Sequence, residues 1–131
     1  AARAGEIATF RLSELGYDPL DVLTVTASAP VAPIAETDDV AMARTNDALA
    51  YGARIHATVD EPFERFGDVP STARESFGTP FAEIFDDHGW DFQELPVEVF
   101  APAKLTIDVA GGGVEVLGEV DESILIESFG L

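Results

Sequence analysis

Arg3, Glu6 and Phe10 are the residues whose types and spacing bring chemistry closest to hand. At about 100° per residue the three fall within about 60° of one another on a helix. They lie on a different side from the stripe of Ala4, Ala8, Leu12 and Leu15, so one face packs while the other presents a guanidinium, a carboxylate and an aromatic ring. Arg3 and Glu6 are three apart, close enough for direct contact. A carboxylate beside an arginine is biased toward its ionised form and held in one rotamer, which suits it to accept a proton. The plainer reading of the same pair is an exposed ion pair worth about a few tenths of a kcal/mol.

Other constellations carry less. The run Gly111-Gly112-Gly113 lacks the spacing of a dinucleotide or phosphate-binding loop and joins two strand-like segments, so it reads as a turn. Asp86-Asp87-His88 resembles a metal cluster only in composition, because adjacent positions rarely converge on one ion. No metal is expected. A Ser-His-Asp hydrolase needs a nucleophile elbow, and the sequence has no G-x-S-x-G. His56 falls on the wet face of its strand and reads as a surface histidine.

The elements that must position these residues belong to a chain of 131 residues, 47% hydrophobic, which reads as one domain able to bury a core. Its charge is extreme, with 25 Asp and Glu against six Arg and one Lys and a net charge of −18. Such a surface repels phosphate backbones and anionic lipid, which argues against nucleic-acid or membrane binding. The acids are interspersed instead of gathered in a tail, as in proteins that work in molar salt, where the Debye length shrinks to about 3 Å. The expected setting is a salt-adapted cytoplasm. There is no cysteine, hence no disulfide framework or thiolate metal site, and no apolar run reaches bilayer length. No signal segment opens the chain, which lacks an initiator methionine and reads like the middle of something longer.

In order, residues 1–15 read as a helix stopped by Gly16, and 22–27 as a short, buried, β-branched strand. Ser28 to Pro33 holds two prolines and reads as a rigid extended segment. Thr37 or Asp38 caps a short helix to about residue 44, followed by a polar turn at Thr45-Asn46-Asp47. Within residues 48–59, Ala53, Ile55, Ala57 and Val59 alternate with Arg54, His56 and Thr58, which predicts a strand with one wet face. Residues 61–66 read as a helical turn ended by Gly67, and 81–87 as a short helix with Phe81 and Ile84 or Phe85 on one side. A proline-bounded stretch at 96–102 precedes a hairpin of 104–109 and 114–120 around the glycines, and Asp121 caps a last helix at 122–129. The expectation is a single α+β domain spanning 1–131.

The phrases Ala27-Ser28-Ala29-Pro30-Val31-Ala32-Pro33, Arg44-Thr45-Asn46-Asp47-Ala48, Tyr51-Gly52, Pro80-Phe81-Ala82-Glu83-Ile84-Phe85, Phe100-Ala101-Pro102-Ala103-Lys104 and Glu127-Ser128-Phe129-Gly130-Leu131 occur in that order. With Arg-x-x-Glu at Arg3 and Glu6, the set closely resembles the C-terminal part of methenyltetrahydromethanopterin cyclohydrolases, over essentially the whole chain. Each phrase is weak alone, and the ordered set is specific.

The resemblance implies the C-terminal part of a two-domain fold whose substrate lies between two α/β parts, the N-terminal portion of the family being absent here. It implies Arg3 and Glu6 as the catalytic pair for reversible hydrolysis of the N5,N10-methenyl-tetrahydropterin cation to the N5-formyl compound. No cofactor is implied beyond the tetrahydromethanopterin or tetrahydrofolate carrier that serves as substrate. Phe10, one turn on, has two placements, against the pterin or in the core, the core being the plainer. Ser28 and Pro30 are expected to shape the pocket, and Thr45, Asn46 and Asp47 to offer donors and acceptors to the pterin edge, though turn stabilisation explains these three equally well. The family forms homo-oligomers, so self-association is expected. The competing expectation is a non-catalytic pterin-binding or oligomerisation module.

Overall fold

A computed structural model of the chain describes residues 3–74, 77–90, 95 and 100–131. Helix α1, Ala4–Glu14, buries Ala4, Ile7, Ala8 and Leu12. It ends where Gly16 takes φ +104°, a conformation open to glycine and strained for other residues. Tyr17 follows, buried against Phe63 and Phe66 with ring centroids 5.2 and 5.4 Å away, and its hydroxyl donates to the Glu61 carbonyl at 2.6 Å. That packing pins the turn leaving α1.

Strands β1 (Val22–Ser28), β2 (Arg54–Val59), β3 (Lys104–Val109) and β4 (Val114–Gly118) form one sheet in chain order. The outer pairs are antiparallel and the central pair, β2 with β3, is parallel. A parallel pair needs a long crossover, supplied here by residues 60–103, which include helix α3, Phe81–Asp87. On one face Ile55, Ala57, Val59, Leu105 and Ile107 are buried beneath α1. Each of the isoleucine, valine and leucine side chains among them contributes about 1.5–3 kcal/mol by leaving water. The opposite face carries Thr26, Arg54, His56, Thr106 and Asp108, and no helix of the described residues covers it.

Helix α2 (Asp38–Gly52) packs against α3 and against α4 (Glu122–Phe129). Tyr51, Phe81, Ile84, Phe85, Leu95, Ile124 and Leu125 form a second core among these three helices. Thr37 caps α2 by accepting from Val40 N–H at 3.3 Å, and Asp121 caps α4 by accepting from Ile124 N–H at 3.2 Å.

Several expectations need correction. The first strand is an edge strand with mostly exposed residues, because among the described residues nothing pairs beyond it and no layer covers its outward face. The helix after Thr37 does not stop near residue 44 but continues to Gly52, through Thr45-Asn46-Asp47 and the first five residues of the 48–59 stretch. Its polar residues return their hydrogen bonds to the helix, Thr45 Oγ1 to the Ala41 carbonyl at 2.8 Å and Asn46 Nδ2 to the Met42 carbonyl at 2.9 Å. The turn expected at 61–66 is instead a 3-10 turn at Phe66–Asp68, and it includes Gly67 instead of ending there. Residues 1, 2 and 96–99, parts of the first helix and of the proline-bounded stretch, lie outside the described residues.

Candidate active site

The predicted pair is carried by α1, whose inner face is fixed by the core and whose outer face is open. A β-carbon on Gly5 would stand 3.4 Å from Val25 Cγ1 and 3.8 Å from Ala27 Cβ, so the first turn of α1 lies over the C-terminal half of β1. Arg3 and Glu6 therefore share one end of the molecule with Ser28. Both side chains are exposed. They do not touch as the spacing suggested. Among the described residues the ion pairs are Arg11–Glu14 at 2.7 Å and Arg65–Asp68 at 3.0 Å. At a solvated helix end the gain from pairing Arg3 with Glu6 does not exceed the entropy cost of holding two long side chains.

Phe10 is 54% exposed on the same side of α1, so the core placement is overturned. The reason is angular, since the buried stripe of Ala4, Ile7, Ala8 and Leu12 meets the core and Phe10 lies on the far side of the helix from it. Arg3, Glu6 and Phe10 thus form an open face with a cation, an anion and a ring, and no described element stands opposite.

Ser28 ends β1 and the chain then runs irregularly to residue 35. Pro30 sits directly on the end of α2, where a β-carbon on Gly52 would come within 2.6 Å of the proline ring and 3.1 Å of Leu125 Cδ1. Ser28, Pro30, Gly52, Arg54, Glu122 and Leu125 line a cleft of about 330 Å³. The rigid segment expected from the two prolines is seated by this contact.

Thr45, Asn46 and Asp47 go elsewhere. Thr45 is exposed, whereas Asn46 and Asp47 are buried. The Asp47 carboxylate accepts from Phe81 N–H at 2.8 Å and from the Ser128 hydroxyl at 2.5 Å, joining α2 to α3 and α4. Burial pushes its carboxyl above the usual carboxylate range, against the two hydrogen bonds and the attraction of Arg74. Arg74 is buried as well and donates to the Tyr51 hydroxyl at 2.6 Å, while that hydroxyl donates to the Thr79 carbonyl at 2.5 Å. Its guanidinium lies 5.2 Å from the ring centres of both Tyr51 and Phe81. Burial lowers the Arg74 pKa and raises that of Tyr51, each against their mutual attraction.

Sequence reasoning did not single out Arg74. A signal was present, because in a chain with 25 acids and seven Lys and Arg each cation stands out as a place where a positive charge is required. Among the described residues no group of three or more His, Asp or Glu is arranged to hold a metal ion, and no helix is long and apolar enough to cross a membrane.

The structure defines an α+β layer that presents an arginine and a glutamate on one uncovered helix face. The chain belongs to the cyclohydrolase (MCH) family, which it matches over residues 1–129. It is 50% identical over 131 residues to a methenyltetrahydromethanopterin cyclohydrolase of Halobacterium salinarum, covering 100% of this chain and 42% of that protein. Proteins of the same name from Methanocorpusculum labreanum and Methanocella arvoryzae are 34% identical over 134 residues and 33% identical over 133, again covering 42% of each. The chain thus spans less than half the length of these curated relatives.

Proposed function

We propose that the chain is the C-terminal part of a methenyltetrahydromethanopterin cyclohydrolase and carries its catalytic wall on α1. The observation that carries this reading is the 50% identity to the Halobacterium salinarum protein along the whole chain. The exposed Arg3 and Glu6, one turn apart on an element whose other face is locked into the core, support it.

The substrate carbon of a methenyl-tetrahydropterin is an amidinium, already electrophilic, so it reacts with a positioned water. Glu6 accepts the proton of that water as the carbon–oxygen bond forms. The carbon–N10 bond then breaks as N10 takes the proton from Glu6, the adduct's hydroxyl oxygen closes to the formyl carbonyl and gives its own proton through Glu6 to solvent, and the N5-formyl compound leaves. Arg3 orients Glu6 once the opposing wall excludes water and strengthens their attraction. In the same reading Phe10 packs on the pterin and Ser28 and Pro30 shape its rim. Of Thr45, Asn46 and Asp47, Thr45 has the most exposed side chain, while Asn46 and Asp47 are already committed to Met42, Phe81 and Ser128. The setting is a salt-adapted cytoplasm, and the partners are the N-terminal portion of the same protein and further copies.

Spectrophotometric loss of the methenyl chromophore in about 1 M potassium chloride tests this. The chain with the N-terminal portion added in trans is expected to turn over, the chain alone to be inactive, and Glu6→Gln to lower turnover about 100-fold or more. A reconstituted, folded Glu6→Gln protein with ordinary turnover would overturn the role of Glu6. A second reading, a non-catalytic pterin-binding or oligomerisation module, has in its favour the exposed Phe10, Val31 and Ile34. It predicts association or pterin binding with no turnover under any reconstitution.

A further inference from the structure

A cavity of about 310 Å³ lies among α2, α3 and α4, and none of its residues belongs to the open face of α1 or to the cleft at Ser28 and Pro30. Its volume is at the lower end of the range for small-ligand sites. Val40, Ala43, Pro80, Ala82 and the Trp90 indole give it an apolar lining. Trp90 is held there by the turn that leaves α3. Its N–H donates to the Phe85 carbonyl at 2.8 Å, and its ring centre lies 5.3 Å from that of Phe85. The carboxylate of the fully buried Asp47 stands in the same wall.

Charge decides what such a space accepts. Asp39, Glu83 and Glu127 join Asp47 around it, against the single cation Arg44. That guanidinium is already engaged, Nε donating to the Ser128 carbonyl at 3.1 Å and Nη1 to the Ile34 carbonyl at 3.4 Å. Exposed acids alone specify nothing on a chain of net charge −18, and molar salt screens them. Asp47 is different, because burial protects its field from screening. Each of its oxygens accepts one hydrogen bond, from Phe81 N–H and from the Ser128 hydroxyl, which leaves acceptor capacity on both. We propose that this cavity binds a small organic ammonium ion, with its alkyl groups against the apolar lining and Trp90 and its charge toward Asp47. An anion would meet four carboxylates. A bare metal ion needs several oxygens converging at about 2.0–2.6 Å, and among the described residues no group of acids is so arranged. An alkylated cation uses the indole, the best of the aromatic rings for a positive charge, together with the aliphatic wall. It also offsets the burial that pushes the Asp47 carboxyl up.

The test is a fluorescence titration of the 131-residue chain, with Trp90, its only tryptophan, as the reporter. Choline chloride replaces potassium chloride at a constant total of about 1 M. The control is the neutral carbon analogue of choline, in which a tert-butyl group replaces the trimethylammonium. Choline is expected to shift the emission saturably and to bind about tenfold tighter than the analogue. Asp47→Asn is expected to weaken choline binding about tenfold and leave the analogue's unchanged, a separation that a merely structural disturbance does not produce. Ala82→Leu, at an exposed position of the lining, is expected to weaken both probes, and it decides the matter if Asp47→Asn fails to fold. No saturable shift, equal affinity for the two probes, or choline binding unchanged in the folded variants would overturn the proposal.

Discussion

Asp47 shows how one buried carboxylate holds three helices together. Its two oxygens satisfy the first N–H of α3 and a hydroxyl near the end of α4, so Asp47→Ala leaves both donors without that acceptor in a desolvated place. The expected loss is about 2 kcal/mol or more, read as a lower urea midpoint at an unchanged slope. The sign of its pH dependence follows from the raised pKa. The folded state holds the Asp47 proton more tightly than the unfolded chain, whose value is 3.8, so the stabilisation from this group is complete below that pH. It is lost as pH rises through the raised folded value. Asp47→Asn, which is never ionised, escapes that loss. Relative to the parent, its unfolding free energy is expected to improve as pH rises from about 4 to about 7. A constant difference across that range would mean that Asp47 titrates as an ordinary surface carboxylate. Tyr51 acts at the other limit. Its raised pKa contributes stability that is full below the ordinary value of 10.0 and lost as pH rises through the higher folded one. Tyr51→Phe removes an acceptor from the buried Arg74 and is expected to cost about 2 kcal/mol in the same denaturation assay.

At the scale of elements, the junction of α2 with the Ser28–Pro33 segment is the tightest seat near the candidate site. Gly52→Ala places a methyl where the Pro30 ring and Leu125 already stand, so either the segment lifts or α4 shifts. The expected cost is about 1–3 kcal/mol, with faster proteolysis between residues 28 and 36 as the readout of a displaced segment. Thr37→Ala, which only uncaps α2, is expected to cost about 1 kcal/mol without exposing that segment. The contrast separates general destabilisation from local displacement. The same elements explain what could be read from sequence. Alternation revealed β2, β3 and β4, glycine spacing revealed the hairpin, and Asp121 marked the start of α4, because each signal is local. Asn46 and Asp47 misled for a tertiary reason. Their preference for turns is offset here by bonds to Met42 within the helix and to Phe81 and Ser128 from elements 34 and 81 residues away. The exposure of Phe10 follows from the same helical spacing that sets it away from Ala4, Ala8 and Leu12, whereas the core placement rested only on its apolar type. Arg3 and Glu6 were placed on the correct open face by helical spacing, but the contact between them was not, because solvent decides it.

For the whole molecule the governing quantity is a net charge of −18 on 131 residues. Self-repulsion of that size acts on the compact state more than on the expanded one, and salt removes it as the Debye length falls from about 10 Å at 0.1 M to about 3 Å at 1 M. The melting temperature is therefore expected to rise steeply with potassium chloride up to about 1 M. Potassium chloride also strengthens apolar burial, so a rise alone does not isolate repulsion. Removing charge does. Glu64, Asp86, Glu115 and Glu119 are exposed and take part in no ion pair of the described residues. Replacing them with Gln or Asn brings the net charge from −18 to −14 and leaves the core untouched. If repulsion sets the salt requirement, the variant reaches the parent's high-salt melting temperature at a lower potassium chloride concentration, and the two converge where screening is complete. Parallel curves displaced by a constant would show that salt acts through the core and not through charge.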